Sequence, residues 1–254
     1  MRLACQVLIF LINVYPMKIP QLAKLILILC FLGTISIHAD LIFSDNFDRK
    51  DGSKTADAIG NGWGTNSAWR ADGEKQIFLK NGVMSIRRLK NANHAVSVKH
   101  DFPLGDCSVS LKFKIDEGDQ LGVNFNDPNL KTSHAGHVCS IRVSTSKLSI
   151  ADQMNGSMNL LLRERRLAGE KSEELKEAIA KTEKSSDIHL KPNSWHELNF
   201  DISEDLTIIY LNGKLLLKFR SPGFAHPTKA NIALSVPKNV VVDDFKVWDK
   251  PGRK

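Results

Sequence analysis

The most chemically loaded stretch of the chain is His134-Ala135-Gly136-His137, two imidazoles in a loop that follows Asn126-Asp127-Pro128-Asn129 and precedes an apolar strand pattern. Imidazole titrates near neutral pH, so a histidine aimed from such a loop suits work as a general base or a ligand. Gly136 allows the tight turn that aiming requires. Asp152, closing the Leu148–Gln153 run, is the carboxylate placed to partner His134 and His137, and it suits a strand-end cap equally well. Two histidines without a third nearby ligand do not make a metal site, and no metal is assigned. A purely structural role, with both rings tying down the turn, stays open beside the catalytic one.

A second set of candidates comes from the polar half of alternating segments: Lys112, Lys114, Asn124, Asn126, Arg142, Glu197, Asn199 and Asp201. Amides, carboxylates and a guanidinium along a sheet suit sugar hydroxyls, which both donate and accept hydrogen bonds. The hydrated face of any antiparallel sheet shows the same pattern. Trp195 shares the parity of Glu197 and Asn199, where an indole can stack on a sugar ring; Trp63 and Trp69 can do so from a loop. Each tryptophan also suits a buried anchor. No strand carries the carboxylate trio of a retaining glucanase, and there is no phosphate loop, nucleotide fingerprint, GxSxG, CxxC or HExxH. The cofactor question stays open.

The elements that must position these residues are strands. Cys107, Val109, Leu111, Phe113 and Ile115 alternate with Ser108, Ser110, Lys112 and Lys114; Leu121, Val123 and Phe125 repeat the pattern, as do Leu198, Phe200 and Ile202. Asp116–Asp119 reads as a hairpin connection. Asn212-Gly213, between Leu206–Leu211 and Lys214–Phe219, is a stronger hairpin signal, because both residues tolerate positive φ. Further strands are expected at 41–47, 76–79, 83–88, 95–99, 138–143, 148–153, 230–236 and 240–248. A dozen such strands predict an all-β, antiparallel two-sheet jelly-roll sandwich, in which the concave face is the usual site. One helix is expected over Ala168–Ser185, with Leu175, Ala178, Ile179 and Thr182 as its stripe, covering a sheet edge.

The chain has 254 residues and a formal charge of +7. Residues 1–39 read as an over-called start followed by a secretory signal, with Met17 as the true initiator, LILILCFL as the apolar run and Ala39 before the cut. That leaves 40–254 as a single domain, secreted or held in the periplasm or cell envelope, with no stable membrane insertion after cleavage. Arg2, Lys18 and Lys24 leave with the signal, and the charge falls to +4. The densest basic cluster, Arg163-Glu164-Arg165-Arg166, reads as a solvated strand-to-helix junction without aromatic partners, so nucleic acid is not an expected partner. Cys107 and Cys139 alternate with core residues on strands expected to flank the Leu121–Asn126 strand, so two buried free thiols are predicted.

Phe43–Asp48 and Val242–Trp248 resemble the first and last strands of concanavalin A-like, laminin-G-like jelly rolls. Leu121–Asn126, Asn193–Leu198, Ile208–Lys214 and Ile232-Ala233-Leu234 resemble the bacterial secreted domains named for 3-keto-disaccharide hydrolase, in a subgroup carrying His134–Cys139 and a helical insert. The resemblance implies a carbohydrate or glycan partner and a hydrolase or lyase acting on keto-disaccharides. Asn126 and Ser235 stand where better-known members carry Arg and Gln, which favours a binding module without turnover; the His134/His137 loop favours the enzyme. A structural envelope protein fits the composition as well.

Overall fold

The computed structural model describes residues 39–250, so the expected leader lies outside the described residues except for Ala39. The strands, in chain order, are β1 (Asp40–Asp45), β2 (Gly64–Thr65), β3 (Ile77–Lys80), β4 (Val83–Arg87), β5 (Val96–Leu104), β6 (Cys107–Lys114) and β7 (Gln120–Asn126). They continue as β8 (His137–Ser144), β9 (Lys147–Asp152), β10 (Glu183–Asp187), β11 (His196–Ser203), β12 (Leu206–Leu211), β13 (Lys214–Arg220), β14 (Lys229–Val236) and β15 (Asn239–Asp249). Helices are α1 (Ser67–Arg70), α2 (Leu160–Leu167) and α3 (Glu173–Ala180).

Two antiparallel sheets pack face to face. The first runs β13-β12-β11-β6-β15-β4-β3, with β1 beside the far half of β15; the second runs β10-β9-β8-β7-β14-β5-β2. The inward halves of the alternating strands form one core, in which Leu111, Phe113, Phe125, Phe200, Met84, Ile86 and Phe245 are buried. Each such side chain contributes about 1.5–3 kcal/mol relative to exposure. Asn212 and Gly213 take φ of 50° and 74°, as the hairpin between β12 and β13 requires.

Three expectations about local structure are corrected. Asp116–Asp119 is not a hairpin: it carries the chain from β6 in the first sheet to β7 in the second. The helix over Ala168–Ser185 is only α3, capped by the Ser172 hydroxyl on Leu175 N; Glu183 onward instead forms β10 on the edge of β9. Arg163–Arg166 lies inside α2, which the Asn159 side chain caps by accepting from Leu161 N and Leu162 N. Arg165 clamps α2 to α3 through Glu170, at 2.8 and 2.7 Å, and Glu174, at 3.2 Å. Cys107 and Cys139 are buried free thiols as expected, although β6 and β8 lie in different sheets rather than flanking β7.

Candidate functional site

The outward positions of the second sheet line up in rows across its strands. Asp101, Asn231, Asn126 and His137 make one row. Lys99, Ala233, Asn124, Ser140, Ala151 and Glu183 make the next, and Ser97, Ser235, Gly122, Arg142, Ser149 and Ser185 the third. Small side chains therefore floor the middle of the face, while Arg142, Asn126 and His137 rise from it. Arg142 also lines a cavity of about 350 Å³ with Gln120, Lys147, Ser149 and Glu183.

Sequence places this furniture through tight local geometry. Asn126 Nδ2 donates to Asn231 Oδ1 at 2.9 Å, tying β7 to β14 on the face. The loop ahead of β8 is a short 3-10 turn, with Ala135 at φ 53° and Gly136 at φ 69°. A methyl group at Gly136 would lie 2.1 Å from the Asp127 carbonyl oxygen, so only glycine fits there. Ser133 Oγ donates to the His137 carbonyl at 2.6 Å, and His134 N donates to Met158 O at 2.8 Å. His137 thus emerges from a turn pinned on both sides.

The electrostatics of the face centre on that imidazole. Burial, followed by the positive charges of His134, Arg142 and His94, lowers the His137 pKa to about 4. The ring is neutral at neutral pH and its Nδ1 is buried without a partner. Asn126 Oδ1 and Ser140 Oγ are also buried without partners. Among the described residues no carboxylate pairs with Arg142. Among the described residues no three ligating side chains are grouped to hold a metal ion.

Of the residues singled out in the sequence, Asn124, Asn126, Arg142 and His137 come together here, and exposed His134 stands in the turn beside them. Asp152 does not join them. It is buried on the core side, opposite Cys139, and its carboxylate accepts from Ser221 Oγ at 2.5 Å, Gly223 N at 2.8 Å, and Asn155 N and Nδ2 at 3.1 and 2.9 Å. With its acceptor sites filled it is a structural cap. Glu197 and Asn199 are also displaced: β11 belongs to the first sheet, so both face out on the other side of the sandwich, bonded to each other at 2.8 Å. Trp195, just before β11, goes with them, as do Lys112, Lys114 and Asp201. Trp63 is a core anchor whose Nε1 donates to Asp45 at 2.8 Å, whereas Trp69 on α1 is 66% exposed. Ser140 and Asn231 escaped notice, although each alternates with core neighbours: Cys139 and Ile141 for one, Ile232 for the other.

A family model described as the 3-keto-alpha-glucoside-1,2-lyase-like domain matches residues 54–247. The chain belongs to this family. Similar solved structures are glycan-processing enzymes with the same jelly-roll fold. The GlcNAcα1-4Gal-releasing endo-β-galactosidase of Clostridium perfringens superposes with a TM-score of 0.58 at 9% identity, over 87% of this chain and 66% of that one. The chain therefore spans just under two thirds of that enzyme. The laminarinase of Rhodothermus marinus gives 0.56 at 10% identity, over 84% and 98%. The laminarinase catalytic domain of Thermotoga maritima gives 0.54 at 13%, over 84% and 99%. No curated protein matches the chain.

Proposed function

We propose that the outward face of the second sheet binds a glycan, with Asn124, Asn126, Ser140, Asn231 and Arg142 as its contacts and His137 at its end. One observation carries this reading. Three of the five buried, unpartnered side-chain atoms among the described residues, on Asn126, His137 and Ser140, lie on this face. Each such atom costs about 1–3 kcal/mol, so their concentration at one place argues for a partner from outside the chain. A sugar hydroxyl, donor and acceptor at once, meets that need when the half-buried Asn126 and His137 side chains turn outward to it. The face also mixes signs, Lys99, Arg142 and Lys147 against Asp101, Glu183 and Asp187, which fits a polyhydroxyl ligand better than a phosphate backbone. Export through the sequence's N-terminal signal would place the domain where such glycans are met.

A second reading, turnover, is favoured by His137. Its imidazole is unprotonated at neutral pH and shares the face with the unpaired Arg142 cation, so it can accept a proton from the carbon beside a carbonyl, as a weak base with a pKa of about 4. In a 3-keto-glucoside the proton on C2 is acidified by the ketone. Its removal by the base, with departure of the oxygen on C1, leaves a C1–C2 double bond and needs no pair of carboxylates. Among the described residues, the outward positions of β7, β8, β9 and β14 carry none.

A glycan-array screen of the purified domain, followed by product analysis on each bound sugar and its 3-keto form, tests both readings. Binding without product supports the module, and an unsaturated product lost in His137→Gln supports the enzyme. No binding to any glycan, with the protein folded, overturns both.

A further inference from the structure

A second cluster stands at the end of the first sheet, on the opposite side of the sandwich. Asp119 closes the Asp116–Asp119 crossing and is only 6% exposed. Among the described residues its carboxylate neither accepts a hydrogen bond nor pairs with a cation. The residue is largely buried but its carboxylate oxygens still reach the surface, so the group faces the cavity with its acceptor capacity unused. Asp119 lines a cavity of about 370 Å³ together with Arg87, Lys114, Asp116, Asn193 and Asn239. Lys114 sits in one cross-strand row with Ser85 and Val241, which fixes the floor. Trp195 is 44% exposed, and Nζ of the cavity-lining Lys114 lies 5.5 Å from its ring centroid. Asn193 N donates to Ile115 O at 2.8 Å and holds this segment against the cavity.

We propose that this cavity is a second carbohydrate subsite, separate from the Arg142 face, which takes a neutral pyranose with free adjacent hydroxyls. Asp119 accepts from the hydroxyls; Arg87, Lys114 and the two asparagine amides supply donors. Two cations against Asp116 and Asp119 leave no net charge, which fits a neutral ligand rather than an acidic or a basic one. The exposed indole offers an apolar surface for the carbon-bound hydrogens of the ring. With one subsite on each sheet, the domain can hold two stretches of polymer or two chains at once, and linked sites gain by avidity.

The test is a titration of ¹⁵N-labelled protein with laminaritriose, cellotriose and trehalose at millimolar concentration, following the four tryptophan indole N–H resonances. The Trp195 resonance is expected to move saturably with at least one sugar. The movement is expected to persist in Arg142→Ala and to need about tenfold more sugar in Asp119→Asn, as loss of a charged hydrogen bond implies. Asn239→Ala, in an exposed side chain, gives a second variant that does not touch the buried turn. No saturable movement with any of the three sugars, or the same affinity in both Asp119→Asn and Asn239→Ala, overturns the proposal. Loss of the movement in Arg142→Ala overturns the independence of the two sites.

Discussion

His137 and Arg142 share one outward face of β8 although an odd number of positions separates them. Strict alternation puts such a pair on opposite faces. The conflict is resolved by a bulge: Asn126 pairs with His137 and Phe125 with Cys139, so Val138 is an extra residue and turns its side chain into the core. The bulge puts the imidazole and the guanidinium on the same face, two cross-strand rows apart.

The pKa of His137 is the first consequence to measure. Its folded value is about 4 against an ordinary 6.5, so between these values the unfolded chain binds more protons than the folded one. The contribution is fully present above about pH 6.5 and is lost as pH falls through about 4, on the order of 3 kcal/mol. Denaturant titrations across this window are expected to show falling stability that His137→Gln flattens. An NMR titration of Arg142→Ala should move the His137 pKa up but still leave it low, because burial is the larger cause.

Asp152 and Gly223 form a structural lock. A methyl group at Gly223 would stand 2.0 Å from Asp152 Oδ1. Gly223→Ala is expected to lower stability by about 1–3 kcal/mol or more through overpacking. Asp152→Ala, which strands the Gly223 N–H and the Ser221 hydroxyl, should cost at least as much. Thermal unfolding of both variants checks this, and wild-type stability in Asp152→Ala would return that carboxylate to the list of catalytic candidates.

The two thiols should be inert in the native protein. Burial pushes the Cys107 pKa up to about 12 and raises that of Cys139 as well. A thiol reagent is expected to label neither Cys107 nor Cys139 until denaturant is added, with peptide mapping showing both as free thiols throughout. A crosslinked pair in native protein would contradict this.

Export is checked by N-terminal sequencing of protein recovered outside the producing cell. The expected first residue is Asp40. An intact N-terminus retained in the membrane would overturn the reading of residues 1–39 as a leader.

Much of the sandwich is legible because alternation records which side of a strand meets the core. Leu121, Val123 and Phe125 against Asn124 and Asn126 need no coordinates to interpret. Parity says nothing about which sheet a strand joins. Glu197 and Asn124 both read as outward, and only the crossing at Asp116–Asp119 separates them. The helical insert is half visible for a similar reason: α2 buries no residue, while Glu183–Asp187 pairs through its backbone and carries no strand pattern. At β8 the extra residue, Val138, breaks the count that would have put His137 on the Arg142 face.

We propose that the face carrying Arg142, rather than the opposite one, receives the principal glycan. Calorimetric titration of Arg142→Ala and Glu197→Ala with the tightest-binding sugar from the array tests it most directly. Arg142→Ala is expected to lose about tenfold or more in affinity, from a charge-assisted hydrogen bond, and Glu197→Ala to keep wild-type affinity. Wild-type affinity in Arg142→Ala, with the variant folded, would contradict it.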